Sequence, residues 1–588
     1  MKKGDKMIQV YDLSYSTPEK DLYNKISFTL KKGQHCALIG ASGTGKSTLI
    51  DMIIDSEKYL FDGSLIVEPD CKIGYVRQFY ESDKNSSLTV FEYIAKDFIN
   101  LESELLRISD EMATSSDLEP LLEKYQEISD AFEAIGGDNY ENIINKKLNL
   151  SSLMNCKDLK ISQVSGGEFK LIQIIKTMLS LPDLMIMDEP DVFLDFDNLN
   201  SLKKLINSYK GTMLIVTHNR YLLNHCFDKI IHLENTEIQE FDGRYIDYKF
   251  SLLQSKIETL ELANADTEEI QRNELLIDKF RAAAGENANA SIGQHVNSRV
   301  KIQERLLARR IKAPFVDINQ PNIVFPSNEI NLENEEKIAL EVSDLNISFD
   351  DALLENIHFE IKSKDKAAII GSNGTGKTTL LQYIAKNDHH SIKFDVGMNV
   401  AYLSQIKGET LDESSTVNEE FFNAGFKTYD EIIFCIRKYG FDREIATKKI
   451  GSLSGGEKNI LQIAKFSKEK TDMLILDEPT SHLDTYSQIA LEKAIEGYKG
   501  AILMVSHDFY TISNCMDYVL LIEDKTIRKV NMKKFRQMIY KNHFDKDYLE
   551  IEKKKKEAEI EIDMALNDND FELAKSLSIK LESILKSF

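Results

Sequence analysis

Two stretches of the 588-residue sequence have the residue types and spacing to hold a phosphate chain. One is Gly40-Ala41-Ser42-Gly43-Thr44-Gly45-Lys46-Ser47, followed by Thr48; the other is Gly371-Ser372-Asn373-Gly374-Thr375-Gly376-Lys377-Thr378, followed by Thr379. Both read G-x-x-x-x-G-K-[ST]. Both follow a short apolar run (Ala37-Leu38-Ile39 and Ala367-Ala368-Ile369-Ile370) and precede a helix-compatible stretch, the context this loop requires. Glycines let backbone N–H groups turn inward onto phosphate oxygens, and the helix N-terminus adds partial positive charge. Lys46 and Lys377 are therefore expected to reach the β- and γ-phosphates of ATP, and Ser47 and Thr378 to ligate Mg²⁺. One such match could be a chance glycine loop; two inside matched repeats are not.

Downstream in each half an apolar run ends in acid: Leu184-Met185-Ile186-Met187-Asp188-Glu189-Pro190 and Leu474-Ile475-Leu476-Asp477-Glu478-Pro479. Asp188 and Asp477 are expected in the Mg²⁺ shell, with Glu189 and Glu478 placed to polarise the attacking water. Exposed acids at a strand end are common, but the same pair in both halves favours chemistry.

The elements that must position these groups are alternating apolar strands and helices, an α/β pattern occurring twice. A chain of this length suits two domains or more. Its composition, 42% apolar and 29% charged, is that of ordinary globular protein. No apolar run has the length to span a bilayer, and Met1-Lys2-Lys3-Gly4-Asp5-Lys6 lacks the apolar stretch of a signal peptide, so a cytoplasmic location is expected. Six cysteines without a Cys-x-x-Cys pair suggest a reduced compartment and no structural metal. The net charge of −23 excludes a protein that coats nucleic acid by bulk electrostatics; such contact must come from a local basic segment.

The chain resembles the ATP-binding-cassette superfamily. The signature of that superfamily occurs twice, as Val164-Ser165-Gly166-Gly167-Glu168 and Leu453-Ser454-Gly455-Gly456-Glu457. Each signature serine precedes its strand-end aspartate by 23 residues, and each aspartate precedes a histidine, His218 or His507, by 30. Gln78 and Gln405 match the superfamily's glutamine, which would serve both catalysis and the Mg²⁺ shell. The resemblance implies head-to-tail pairing. The first loop, with Gln78, Asp188, Glu189 and His218, would face Ser454, Gly455 and Gly456 across one ATP. The second, with Gln405, Asp477, Glu478 and His507, would face Ser165, Gly166 and Gly167 across the other. The histidines fit a switch role, with packed core histidines as the alternative. Phe349, and Tyr15 at a different offset, are the candidates to stack on adenine. Asp191-Val192-Phe193-Leu194-Asp195 departs from the family's T-N-H-L-D more than Thr480-Ser481-His482-Leu483-Asp484 does, which leaves cross-talk at the first of these loops open.

The halves are unequal. From Gln78 to Ser165 is 87 residues, against 49 from Gln405 to Ser454. The excess fits a helical hairpin, with Leu101, Leu105, Ile108 and Met112 on one arm, Leu118, Leu122, Tyr125, Ile128, Phe132 and Ile135 on the other, and a turn at Ser115-Ser116-Asp117. It carries 11 acidic and 3 basic residues from Lys96 to Ile135, suited to a basic partner surface or simply to solvent. Between the halves, helical runs are expected at Tyr248–Ala263, Glu268–Arg281 and Val296–Ile311, with an interruption at Asn264-Ala265-Asp266-Thr267 and a tip at Ala282–Gln294. From Ile270 to Lys312 there are 9 basic and 4 acidic residues, a stripe fitting either RNA phosphate or a charged spacer. The tail reads as a helical hairpin turning at Asn567–Asp570, expected to lie on the second half or on a protein partner.

Twin cassettes, an insertion in the first, a long helical linker and no membrane segment resemble the ABC-F translation factors across nearly the whole chain. The implied fold is α/β: two tandem ABC-type P-loop nucleotide-binding domains with a helical arm insertion, a helical-hairpin interdomain linker and a helical C-terminal extension. The expected limits are 5–245 with the arm at about 96–148, then 246–335, 336–540 and 541–588. The implied activity is ATP hydrolysis with ATP and Mg²⁺, coupled to translation or to displacement of ribosome-targeting antibiotics. The implied partners are the 70S ribosome, through 23S rRNA and P-site tRNA at linker 270–312, and a ribosomal protein at the acidic arm. The chain is expected to act as a monomer whose cassettes pair internally. The rival expectation is an ATPase subunit serving separate membrane subunits, which predicts a short linker without a basic hairpin.

Overall fold

Strands buried on both faces are largely apolar, and each half supplies several such runs. In the computed structural model the first half folds through β1 (Lys6–Ser16), β2 (Asp21–Lys31), β3 (His35–Ile39), β4 (Asp62–Val67), β5 (Ile73–Val76), β6 (Leu184–Asp188), β7 (Thr212–Val216), β8 (Lys229–Glu234) and β9 (Glu237–Asp242). The described residues are 6–18, 20–77, 86–114, 118–192, 194–286, 299–302, 321–328, 337–349, 352–404, 411–468, 470–543 and 548–585. One sheet has the order β5-β6-β7-β3-β8-β9, parallel except for the β8/β9 hairpin. A second, antiparallel sheet, β2-β1-β4, lays Ile8, Val10, Leu13 and Phe28 on the core that Leu38, Ile186, Leu214 and Ile231 form.

The second half repeats this through β10 (Ile338–Ser348), β11 (Ala352–Lys362), β12 (Lys366–Ile370), β13 (Ile392–Phe394), β14 (Val400–Leu403), β15 (Met473–Asp477), β16 (Ala501–Val505), β17 (Tyr518–Glu523) and β18 (Thr526–Asn531). Its sheet order, β14-β15-β16-β12-β17-β18, matches the first strand for strand. In both, the phosphate loop leaves the carboxyl end of a central parallel strand, where ligands of open α/β sheets bind.

The chain divides into two compact units, Met1–Asp242 with Gln320–Ile539, and Gly243–Asn319 with Tyr540–Phe588. The first holds both cassettes. Its arm consists of α2 (Val90–Thr114), after α1 (Lys46–Ile54), and of α3 (Glu119–Ala134); the turn expected at Ser115–Asp117 lies outside the described residues. On α2, Ile108 is buried as the periodicity predicts. On α3 the later part of the expected stripe holds, with Ile128, Phe132 and Ile135 half-buried, but its start does not: Leu118, Leu122 and Tyr125 are exposed and Leu121 is half-buried instead. Leu121 and Leu122 are adjacent leucines that satisfy the same spacing, so periodicity alone could not choose between them.

In the second unit a single helix runs over Tyr245–Glu286. The interruption expected at Asn264–Thr267 is absent, because none of the four is Gly or Pro and each costs only about 0.7 kcal/mol or less in a helix. Residues 299–302 are helical, and the rest of the expected run, with the tip beyond Glu286, lies outside the described residues. Buried Asn273 ties the two segments together, donating to the Arg299 carbonyl at 3.1 Å and accepting from the Arg299 guanidinium at 3.4 Å.

The tail forms helices Tyr548–Asn567 and Phe571–Leu585. They turn at Asn569, which has φ +57°, and Asp570 caps the second helix by accepting from Leu573 N at 3.0 Å. Within this unit the tail packs on the linker helix. Ile562, Ala565, Ala574, Leu581 and Leu585 close over Ile257, with Phe250, Leu253 and Leu260 alongside, and Lys575 pairs with Glu261 at 2.8 Å. Each buried Leu or Ile side chain there is worth about 1.5–3 kcal/mol, more than an exposed charge pair contributes.

Candidate active sites

Each site grows from the carboxyl ends of the parallel strands. After β3 the chain turns at Gly40 (φ +152°), where a Cβ would stand 2.0 Å from the Leu233 carbonyl oxygen, so only glycine fits. The loop then feeds α1, and Lys46 folds back to donate to the Gly40 and Ala41 carbonyls at 3.0 and 2.8 Å. Lys377 does the same with Gly371 and Ser372 at 2.9 and 2.8 Å. Burial holds both ammonium groups below their usual range. Thr44 and Thr375 close the loops onto the Ala41 and Ser372 carbonyls, each at 2.9 Å.

The carboxylates follow from a strained turn. Glu189 and Glu478, one residue past β6 and β15, have φ +45° and +48°. A left-handed residue bearing a Cβ costs about 1–2 kcal/mol. It is held here because Glu189 N donates to Val216 O and Glu478 N to Val505 O, each at 2.9 Å, extending the ladders to β7 and β16. The turn swings both side chains off the sheet towards the loops.

Thr378 Oγ1 donates to Asp477 Oδ1 at 3.3 Å, and Ser47 makes the same kind of bond to Asp188. Asp477 Oδ2 is buried with no hydrogen-bond partner among the described residues. A hydroxyl beside a carboxylate with an orphaned oxygen fits a hard divalent cation. Burial, with neighbouring Glu189 adding for Asp188, pushes both aspartates up to about 6.

The histidines sit after β7 and β16. Burial lowers His218 to about 4 and His507 to about 3, and each neighbouring loop lysine adds to the shift. Both are therefore neutral at pH 7. His507 Nε2 lies 3.5 Å from Glu478 Oε1, and its backbone N donates to Oε2 at 3.3 Å.

The signatures are capping boxes. Ser165 Oγ accepts from Glu168 N at 3.2 Å while Glu168 Oε2 accepts from Ser165 N at 2.8 Å; Ser454 and Glu457 repeat this at 3.3 and 2.8 Å. The N-terminal N–H groups of helices Gly166–Leu179 and Gly455–Lys465 thus belong to a fixed helix start. Each start meets the opposite loop. A Cβ on Gly456 would lie 2.6 Å from Ser42 Oγ, and one on Gly167 would lie 2.9 Å from Asn373 Nδ2.

Asp484 and Asp195 lock the arrangement across the two halves. Asp484 Oδ2 accepts from Ser42 N at 3.1 Å and Asp195 Oδ2 from Asn373 N at 2.9 Å. With Oδ1 each caps its own following helix. The unusual first loop therefore keeps its cross-contact.

A cavity of about 330 Å³ opens between the halves, with Glu189, His218, Lys377, Glu478, His482 and His507 in its wall. His482 Nδ1 lies 3.3 Å from Glu189 Oε2. Burial alone would raise Glu189, but the His482 bond, with the nearby Lys46 ammonium adding to it, outweighs burial and holds the carboxyl below its usual value. Glu478 is instead pushed up to about 8, by burial and then by Asp477.

Gln78 and Gln405 lie outside the described residues. Phe349 is 70% exposed at the end of β10. Tyr15 is half-buried against Tyr23 and Tyr59, with ring centroids at 6.2 and 5.8 Å. The two candidates are not register equivalents, since Tyr15 pairs with Tyr23 as buried Ile347 pairs with Leu354.

Three contributors went unread in the sequence. Tyr23 Oη donates to the Gly45 carbonyl at 2.6 Å. His482 crosses to Glu189. Arg220 crosses to Glu492 and to Asp508, the latter at 2.8 Å, while Phe509, at the matching position of the second half, meets Phe196 edge-on. Comparing residues at the 289-residue offset between the halves would have flagged Arg220 against Phe509 and His482 against Phe193.

A family model described as ABC transporter matches residues 23–192 and 354–481. ABC transporter F family member 5 of Arabidopsis thaliana is 28% identical over 513 residues, covering 85% of this chain and 72% of that protein. The energy-dependent translational throttle protein EttA of Haemophilus influenzae is 26% identical over 553 residues, 91% of this chain and 94% of its own. Among solved structures, a model of ribosome-bound archaeal Pelota and ABCE1 superposes with a TM-score of 0.57 at 16% identity, covering 90% of this chain and 80% of that one, a likeness of fold. No helix among the described residues is long and apolar enough to cross a membrane.

Proposed function

The chain belongs to the ABC transporter family, and on that premise we propose that it is an F-type twin-cassette ATPase that acts on the ribosome in translation. The observation that carries the reading is its similarity to a translational throttle protein over 91% of this chain and 94% of that one. The exposed basic residues Arg272 and Lys279 on the linker helix support contact with RNA phosphate. In this reading linker 270–312 enters the tRNA exit site and touches 23S rRNA and P-site tRNA, and the acidic arm meets a ribosomal protein. Displacement of a ribosome-bound antibiotic is the finer form of the proposal, resting on the tip between the linker helices.

At each site ATP lies between one phosphate loop and the opposite signature. Lys46 or Lys377 leaves its loop carbonyls for the β/γ-phosphates, and the signature helix directs its N–H groups at the γ-phosphate. Ser47 with Asp188, and Thr378 with Asp477, would hold Mg²⁺ together with Gln78 and Gln405, and a cation there would supply neutralisation of the charge on the phosphates. Glu189 and Glu478 accept the proton of the attacking water. His218 and His507, neutral, donate one ring N–H towards the γ-phosphate. Cleavage removes the group that bridges loop and signature, and the halves part.

The test is a chain carrying Glu189→Gln and Glu478→Gln, mixed with 70S ribosomes and ATP and sedimented. The double variant should pellet with ribosomes at least tenfold more than the parent does without nucleotide. Equal pelleting would remove the ribosome from the proposal.

A further inference from the structure

The two active sites share a design but not a full set of residues. The His482 ring, 8% exposed, stands on the loop of the second cassette yet contacts the carboxylate of the first. Its backbone is left-handed (φ +60°), a conformation a histidine keeps only where its surroundings impose it. They do so here: its carbonyl oxygen would lie 2.6 Å from a Cβ on Gly456, so the signature glycine gives it room. Two residues on, Asp484 holds Ser42 N. One short segment therefore both docks on the first phosphate loop and reaches the first carboxylate.

The matching residue in the first cassette is Phe193, whose ring has no hydrogen-bonding atom. Glu478 is met from its own cassette, by His507. The neighbouring pair differs in the same sense. Asp191, accepting from Thr217 Oγ1 at 2.6 Å, stands where Thr480 bonds Ser506 at 3.2 Å.

We propose that His482 is a positioning residue acting in trans on Glu189, so that closure of the cassettes completes the first site and makes it the faster of the two. A carboxylate acting as base must be held at a fixed angle to the water. His482 Nδ1, 3.3 Å from Oε2, supplies that hold. It can do so only while the second cassette is docked, so the first base is aimed by the same movement that encloses ATP. Among the described residues, Glu478 at the second site is held by His507 of its own cassette. This rests on the reading of Glu189 and Glu478 as the two bases.

The experiment uses the full chain with one site silenced at a time, measuring kcat and KM for ATP. In the Glu478→Gln background, His482→Ala should lower kcat at least tenfold with KM within twofold, and His482→Gln, which keeps a donor, should recover at least a third of the parent rate. In the Glu189→Gln background, Phe193→His should raise kcat at least threefold. A smaller loss, a loss carried by KM, or no recovery with Gln overturns the proposal. If His482→Ala does not fold, judged by its thermal melt, the Phe193→His measurement decides alone and no gain overturns it. Should the Glu189→Gln, Glu478→Gln chain hydrolyse ATP like the parent, the assignment of the bases fails. Should it be inactive while His482→Ala matches the parent, only the role of His482 fails.

Discussion

Glu189 and Glu478 occupy the same turn after the same strand, yet their surroundings drive them apart. His482 and the nearby charges keep Glu189 ionised, whereas burial, aided by Asp477, carries Glu478 up to about 8. A protonated carboxyl cannot take a proton from water, so each site runs only above the value of its own glutamate. With Glu478→Gln leaving the first site, the ATPase rate should be flat from about pH 6 to 9. With Glu189→Gln leaving the second, it should climb about tenfold from pH 7 to a plateau above about 9, in steady-state assays at saturating ATP. Lys46, Asp188 and Glu189 were legible in the sequence because their spacing is fixed by one strand and one turn. His482 was not, because its partner lies 293 residues away and no local pattern relates them.

At the scale of elements, one carboxylate often serves two structures. Asp195 starts the helix Phe196–Ser208 with one oxygen and holds the opposite phosphate loop with the other. Asp195→Ala should cost about 1 kcal/mol in urea unfolding from the lost cap, and should slow hydrolysis through the lost hold on Asn373. Asp195→Asn, which keeps the cap, should restore most of the stability. The signature is similarly double, for Ser-x-x-Glu is a helix start before it is part of a nucleotide site. Such starts can be read from sequence because capping is local. The face of an isolated helix is read less surely, as the first turns of α3 illustrate: adjacent Leu121 and Leu122 fit one period, and only packing against α2 separates them.

In the whole molecule, the two cassettes form one unit and the linker helix with the tail forms another. The duplication of the α/β halves was legible because the motifs recur in order; the union of linker and tail was not. Leu577, Leu581 and Ile584 recur at helical spacing, but that spacing cannot say that Ile257 lies beneath them. Leu581→Ala should cost about 2–5 kcal/mol locally, seen as faster amide exchange over residues 250–260 with the cassettes unaffected. That union also has a consequence in time. The linker helix ends at Glu286 and its covering hairpin begins only at Tyr548, roughly 260 residues later. At about 5–20 residues per second of synthesis, the apolar side of the nascent helix around Phe250, Leu253 and Ile257 waits on the order of 10–50 s for its cover. Both cassettes can fold in that interval, so the helical unit is the last part of the protein to be completed and the part most exposed to capture by chaperones while it is being made.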